Sequence, residues 1–181
     1  MITDFIENAE VLERAMKASR LSWSTEHLST PEKDAKLSAK LIKLGPDHSA
    51  ALRQAPFWFH LEASRAFWQE FSKYRIGVEM YSESTMHTIN RRPLCKADFC
   101  GEIGDEQLNL LNNLIATKDT TAIKCALPES FLQRRAIMMN YQSARSICQQ
   151  RWDHKWPEWR TFLVELLGLV RYPEFIREVE K

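Results

Sequence analysis

Residues 57–89 read FWFHLEASRAFWQEFSKYRIGVEMYSESTMHTI, and the way this stretch divides decides the fold. Phe57, Phe59 and Leu61 alternate with Trp58 and His60, as a short strand does. Ala63, Ala66, Phe67, Phe71 and Tyr74 then recur at helical spacing and predict an amphipathic helix over 62–74. Its end carries Glu70, Lys73 and Arg75, with Ile76-Gly77 as a stop, and Ser82 to His87 follows as a polar loop. A buried element that delivers cations into a hydroxyl- and carboxylate-rich loop suits an anionic small-molecule site, because binding groups concentrate on loops held by rigid elements. A surface helix with an ordinary solvated end would read the same way.

Upstream, residues 4–18 read as a helix capped by Asp4 or Asn8, with Val11, Leu12, Ala15 and Met16 on one face. Ser29-Thr30-Pro31-Glu32 is a helix start, with a hydroxyl cap and proline at the first helical position. That helix carries Leu37, Leu41 and Leu44 and stops at Gly45. Downstream, residues 91–104 have turn residues and little periodicity. Asp105 caps a short helix through Leu108, Leu111, Leu114 and Ile115. A long helix is predicted from Pro128-Glu129 to about Trp152, another from Pro157 through Val170, and a terminal turn from Pro173. The expected class is α+β: a helix-rich single domain over residues 1–181 with a small mixed sheet.

The net charge of +1 leaves no broad footprint for duplex nucleic acid or an anionic membrane, so an anion site must be local. No apolar run approaches the ~20 residues needed to span a bilayer. The start MITDFIENAE is too acidic and interrupted for a secretion signal. Cys95, Cys100, Cys125 and Cys148 form no CxxC pair, which points to reduced thiols in a cytoplasmic protein and to no metal site. The five glycines include no GxGxxG or GxxxxGK arrangement, against Rossmann and P-loop sites.

A second constellation lies toward the C-terminus. Asn140, Gln142, Arg145 and Arg151 interrupt an otherwise apolar helix, and the eleven-residue step from Asn140 to Arg151 puts both on one face. Lys124 stands just before Ala126-Leu127-Pro128, at the expected helix entrance, where a cation helps bind an anion. Arginines facing water from the helix surface fit the same pattern.

Taken together, these segments resemble the flavin-dependent thymidylate synthases. His48 and Phe57 to Ala63 resemble the family's loop histidine and strand, and Lys73-Tyr74-Arg75 occupies the place of its arginine-histidine-arginine signature. Ser82 to His87 is similar to its asparagine-glutamate segment with two residues inserted. Lys124 to Pro128 resembles its arginine before leucine-proline, and Asn140 to Arg151 keeps its spacing from asparagine to catalytic arginine. The similarity spans roughly residues 10–160 and rests on collinear spacing, since no single motif is intact.

The resemblance implies a homotetramer with active sites at subunit interfaces. FAD would be the cofactor, NADPH and methylenetetrahydrofolate the cosubstrates, and dUMP would be methylated at C5. It implies Arg151 as the catalytic residue beside the pyrimidine. His48, Lys73, Tyr74, Arg75, Glu83 and Asn140 would line the FAD; Glu70, Lys73, Glu83, Thr85, His87, Lys124 and Arg151 would bind the nucleotide. Lys73 and Tyr74 replace an arginine and a histidine, Glu70 stands where a neutral amide is usual, and His87 and Lys124 replace arginines. Those departures leave open a pyrimidine-nucleotide C5 hydroxymethylase or a catalytically silent nucleotide-binding relative. A nucleic-acid-binding module using Arg134, Arg135, Arg145 and Arg151 is disfavoured by the near-neutral charge.

Overall fold

A computed structural model describes residues 1–177. The chain forms β1 (Ile2–Glu7), α1 (Ala9–Ala18), α2 (Pro31–Leu44), β2 (Pro56–Ser64), α3 (Arg65–Phe71), β3 (Val78–Ser82) and α4 (Thr85–Thr88). It continues through α5 (Asp105–Thr117), α6 (Thr120–Ala126), β4 (Leu132–Asn140), α7 (Tyr141–Arg151), α8 (Pro157–Leu169) and α9 (Pro173–Ile176). Among the described residues, four short 3₁₀ turns join these elements. The sheet order is β1-β2-β4-β3. Bonds from Arg65 N to Phe131 O and Tyr141 N to Ala55 O set β4 antiparallel to β2; those from Glu83 N to Arg134 O and Asn140 N to Gly77 O set it antiparallel to β3. The helix-rich α+β class is the one the chain adopts.

Several boundaries differ from the sequence reading: α3 also ends at Phe71, and the expected loop from Ser82 to His87 holds the end of β3 and the start of α4. The strand begun at Phe57 runs on to Ser64, and the helix starts only at Arg65, where the Ser64 hydroxyl accepts from Phe67 N at 3.1 Å. Residues 4–7 belong to β1, and Asn8 is the true cap of α1, its side chain accepting from Val11 N at 3.1 Å. The long helix from Pro128 does not form. Residues 132–140 are β4, and only 141–151 are helical. An apolar run flanked by sheet neighbours on both sides carries no reliable period, so burial alone cannot tell strand from helix there. The α2 expectation holds at both ends, with Thr30 accepting from Lys33 N at 3.3 Å and Gly45 at φ +119°, although Leu44 is exposed.

The chain divides into two compact units. The first comprises residues 1–60, 74–80 and 137 onward. Its core is aromatic: Phe57 packs on Phe59 at 6.1 Å and edge-on to Tyr141 at 5.6 Å, and Phe59 meets Phe162 at 6.0 Å. The buried Tyr141 hydroxyl donates to Glu7 at 2.6 Å, and burial pushes its pKa well above the ordinary phenol range. The buried Arg20 and Asp34 are paired, and Ser29 donates to the second Asp34 oxygen at 2.6 Å.

The second unit comprises residues 61–73 and 81–136. Phe67, Trp68 and Phe71 pack on one another at 5.4–5.6 Å. A separate cluster gathers Ile89, Leu94, Phe99, Leu111, Ile123 and Phe131. Residues 91–104 are irregular apart from one 3₁₀ turn, as expected, yet Leu94, Phe99 and Ile103 are buried. That loop is fastened by Arg92, which forks onto both oxygens of Asp98 at 2.8 and 2.5 Å, while Cys95 N donates to Asp98 at 2.8 Å.

The Arg92 hydrogen bonds, helped by the Cys95 amide, hold the Asp98 carboxyl below the usual carboxylate range against its partial burial. A depressed native pKa means that the unfolded chain takes up protons first as the pH falls. The stabilisation from Asp98 is therefore present above its ordinary value of 3.8 and lost as the pH falls through the lower native value. In thermal melts across pH, Asp98→Asn should lie below the parent at pH 7 and converge on it at the acid end. Curves parallel at every pH would show that the carboxylate contributes nothing.

Candidate functional site

In the first unit, α7 is the scaffold. Asn140 caps it, its Oδ1 accepting from Ser143 N at 2.9 Å. The Ile76-Gly77 turn docks on that cap: the Ser143 hydroxyl donates to Ile76 O at 2.7 Å and Asn140 N to Gly77 O at 3.3 Å. A Cβ on Gly77 would lie 2.3 Å from Asn140 Nδ2, and its φ is +66°, so the close approach and the left-handed backbone both call for glycine. The loop bearing the exposed His48 is tied to the same helix, since Ser49 donates to Gln142 Oε1 at 2.9 Å. A cap and two turns thus bring His48, Tyr74, Arg75 and Asn140 onto fixed supports.

Arg151 ends α7, half-buried, and the Ala144 and Cys148 positions that lead to it are buried at 1% and 2% exposure. Its Nε donates to the Tyr74 hydroxyl at 2.7 Å. The guanidinium carbon lies 4.9 Å from the Trp159 ring centre and 5.6 Å from that of Tyr74, and the two rings meet edge-on at 5.9 Å. Tyr74 in turn donates to Gln150 Oε1 at 3.2 Å. A permanently charged, planar group is therefore oriented by the Tyr74 hydroxyl and two aromatic faces. Trp159, fully buried, was not among the expected site residues; only its helical register after Pro157 marks it in the sequence.

The second unit holds Glu70, Lys73, Glu83, Thr85, His87 and Lys124. Lys73 is exposed just past α3, whose end is supported by Arg135. That guanidinium lies 4.5 Å over the Trp68 ring and donates to the Ser72 hydroxyl at 3.3 Å, and burial lowers its pKa. Glu83 is exposed, with its amide on Arg134 O at 3.0 Å; Thr85, at the start of α4, is buried, and His87 is exposed. Lys124 is not at a helix entrance. It lies in the last turn of α6, exposed, where a cation complements the helix dipole. The Asp119 cap that starts α6, accepting from Ala122 N at 3.0 Å, was the signal for that helix.

A half-open cavity of about 510 Å³ lies in this unit, lined by Glu62, Glu83, Arg91, Arg92, Arg134 and Phe131 among others. No group of described residues has the composition of a metal site. No described helix is long and apolar enough to cross a membrane. None of the four cysteines forms a disulfide, and burial pushes the Cys148 thiol up, away from the reactive thiolate.

The family model for thymidylate synthase complementing protein matches residues 2–171. Among solved structures, the chain resembles thymidylate synthase X from Helicobacter pylori crystallised with FAD and dUMP. That likeness has a TM-score of 0.80 at 18% identity and covers 97% of this chain and 98% of that one. A second structure, the flavin-dependent thymidylate synthase of Helicobacter pylori complexed with FAD and dUMP, gives a TM-score of 0.79 at 20% identity over 100% and 99% of the two chains. No curated protein matches the chain. At these identities the solved structures speak for the fold.

Proposed function

Because the chain belongs to the family of thymidylate synthase complementing proteins, we propose that it is a flavin-dependent thymidylate synthase acting on dUMP. The family match along residues 2–171 carries this reading, and the fixed position of Arg151 agrees with it. The donors present suit an aromatic, phosphate-bearing cofactor: Arg75 and His48 offer exposed polar and cationic groups, and Tyr74 and Asn140 sit on rigid supports beside them. FAD would be held by His48, Lys73, Tyr74, Arg75, Glu83 and Asn140, and would supply the hydride that completes the methyl group. NADPH would be the reductant and methylenetetrahydrofolate the one-carbon donor.

Arg151 acts on the pyrimidine. Its charge stabilises the anionic uracil ring as C5 becomes nucleophilic, an effect typically worth ~2.7–4 kcal/mol for one well-placed donor. Tyr74 fixes the plane of that guanidinium. Glu70, Lys73, Glu83, Thr85, His87 and Lys124 are assigned to the nucleotide. We further propose that residues 1–181 act as a single domain within a cytoplasmic homotetramer whose sites lie at subunit interfaces.

The deciding experiment purifies the protein with added FAD and supplies dUMP, NADPH and methylenetetrahydrofolate, with mass analysis of the nucleotide. A yellow tetramer forming dTMP is expected. A product heavier by one oxygen would make it a C5 hydroxymethylase. A colourless protein that takes up no flavin would overturn the reading in favour of a silent nucleotide-binding relative.

A further inference from the structure

We propose that Arg91 and Arg134 are a phosphate-binding pair within the cavity beside Glu83. The inference builds on the proposed function, which asks for phosphate-bearing ligands and assigns Lys124, among others, to the nucleotide. Lys124 is not part of this cavity's lining; the two arginines are.

The cavity brings them together by two routes. Arg134 stands on β4, and the bond from Glu83 N to Arg134 O at 3.0 Å sets it beside the loop that begins α4. Arg91 follows α4, its amide bonded to Thr88 O at 3.1 Å. The floor is apolar, with Ile89, Leu94 and Phe131 buried beneath the charged rim.

The three arginines on that rim differ in their partners. Arg92 is committed to Asp98 through both arms of its fork. Among the described residues, neither the Arg91 nor the Arg134 guanidinium has a hydrogen-bonding or ion-pair partner. The β2–β4 register places Glu62 directly opposite Arg134.

Two unpartnered guanidinium groups on a concave surface offer paired N–H donors with the geometry of phosphate oxygens. The exposed Glu83 supplies a carboxylate acceptor for sugar hydroxyls or a base N–H beside it. The ligand chemistry is thus a phosphate ester on a hydroxyl-bearing sugar. It can come from the 5′-phosphate of a mononucleotide or from the diphosphate of a flavin dinucleotide.

The test uses Arg91→Gln, Arg134→Gln and the double variant, with dUMP, deoxyuridine and inorganic pyrophosphate titrated calorimetrically and bound flavin read by absorbance. Both side chains are exposed, so unchanged thermal midpoints are expected. If the phosphate is that of the nucleotide, each single change should weaken dUMP binding about tenfold or more, ~1.4 kcal/mol, and leave deoxyuridine unaffected. If it is that of the cofactor, flavin retention should fall while dUMP affinity holds. Pyrophosphate binding by the parent, absent in the double variant, would support the pair even if dUMP and flavin do not bind, an outcome that defeats only the proposed function. The pair is overturned if the double variant matches the parent toward all three phosphate ligands, or if the parent binds none of them.

Discussion

Arg151→Lys is expected to lower turnover by about a hundredfold, ~2.7 kcal/mol of barrier, with flavin content and thermal midpoint nearly unchanged. Lysine keeps the charge but loses the planar fork and the Nε–H that Arg151 gives to the Tyr74 hydroxyl at 2.7 Å. It also loses the flat surface that lies 4.9 Å from the Trp159 ring centre. The group doing the electrostatic work would then wander, and an oriented charge is worth more than a mobile one. Tyr74→Phe separates the two contributions. It removes the hydroxyl acceptor while keeping the ring against Trp159, so turnover should fall by a smaller factor and dUMP affinity should hold. Wild-type turnover in Arg151→Lys would make Arg151 an ordinary helix-end cation and remove it from the site.

Trp159→Ala should cost about 3–5 kcal/mol of folding stability, the range for emptying a buried aromatic position. Trp159 is fully buried and touches Phe162 at 6.3 Å, His154 at 6.2 Å and Tyr74 at 5.9 Å. The cavity would open directly beneath Arg151, so turnover should fall along with the denaturant midpoint. Trp159→Phe keeps an aromatic face and should recover most of both. A loss below about 1 kcal/mol in Trp159→Ala would mean that the neighbours close over the gap and that the ring does not shape the site.

Local signals that act over a few residues were legible without coordinates. Thr30-Pro31 and Gly45 bound α2, and Pro157 opens α8, because caps, prolines and left-handed glycines act through the backbone next to them. The alternation Phe57, Phe59, Leu61 is strand chemistry, and all three side chains are buried. The eleven-residue step from Asn140 to Arg151 does not run along one helix, because Asn140 ends β4 and caps α7. Collinear spacing carried the family resemblance despite altered motifs, since spacing reflects where elements start and stop.

What needed the third dimension was pairing. Residues 2–7 and 132–140 carry helix-compatible patterns, yet both lie in the sheet because neighbouring strands supply hydrogen bonds the local sequence cannot announce. Misreading 128–140 as helix also put Lys124 at a helix entrance when it ends α6. The company kept by Arg151 follows the same rule: the chain order shows an arginine after small and apolar residues, but Tyr74 and Trp159 arrive from 77 positions upstream and from the next helix. Sequence by itself determined where most elements are punctuated and which residue types could serve an anionic, aromatic ligand. Tertiary structure decided which runs became strands and which cations were partnered, because ladder bonds, ion pairs and ring contacts join residues far apart in the chain, beyond the reach of any local period.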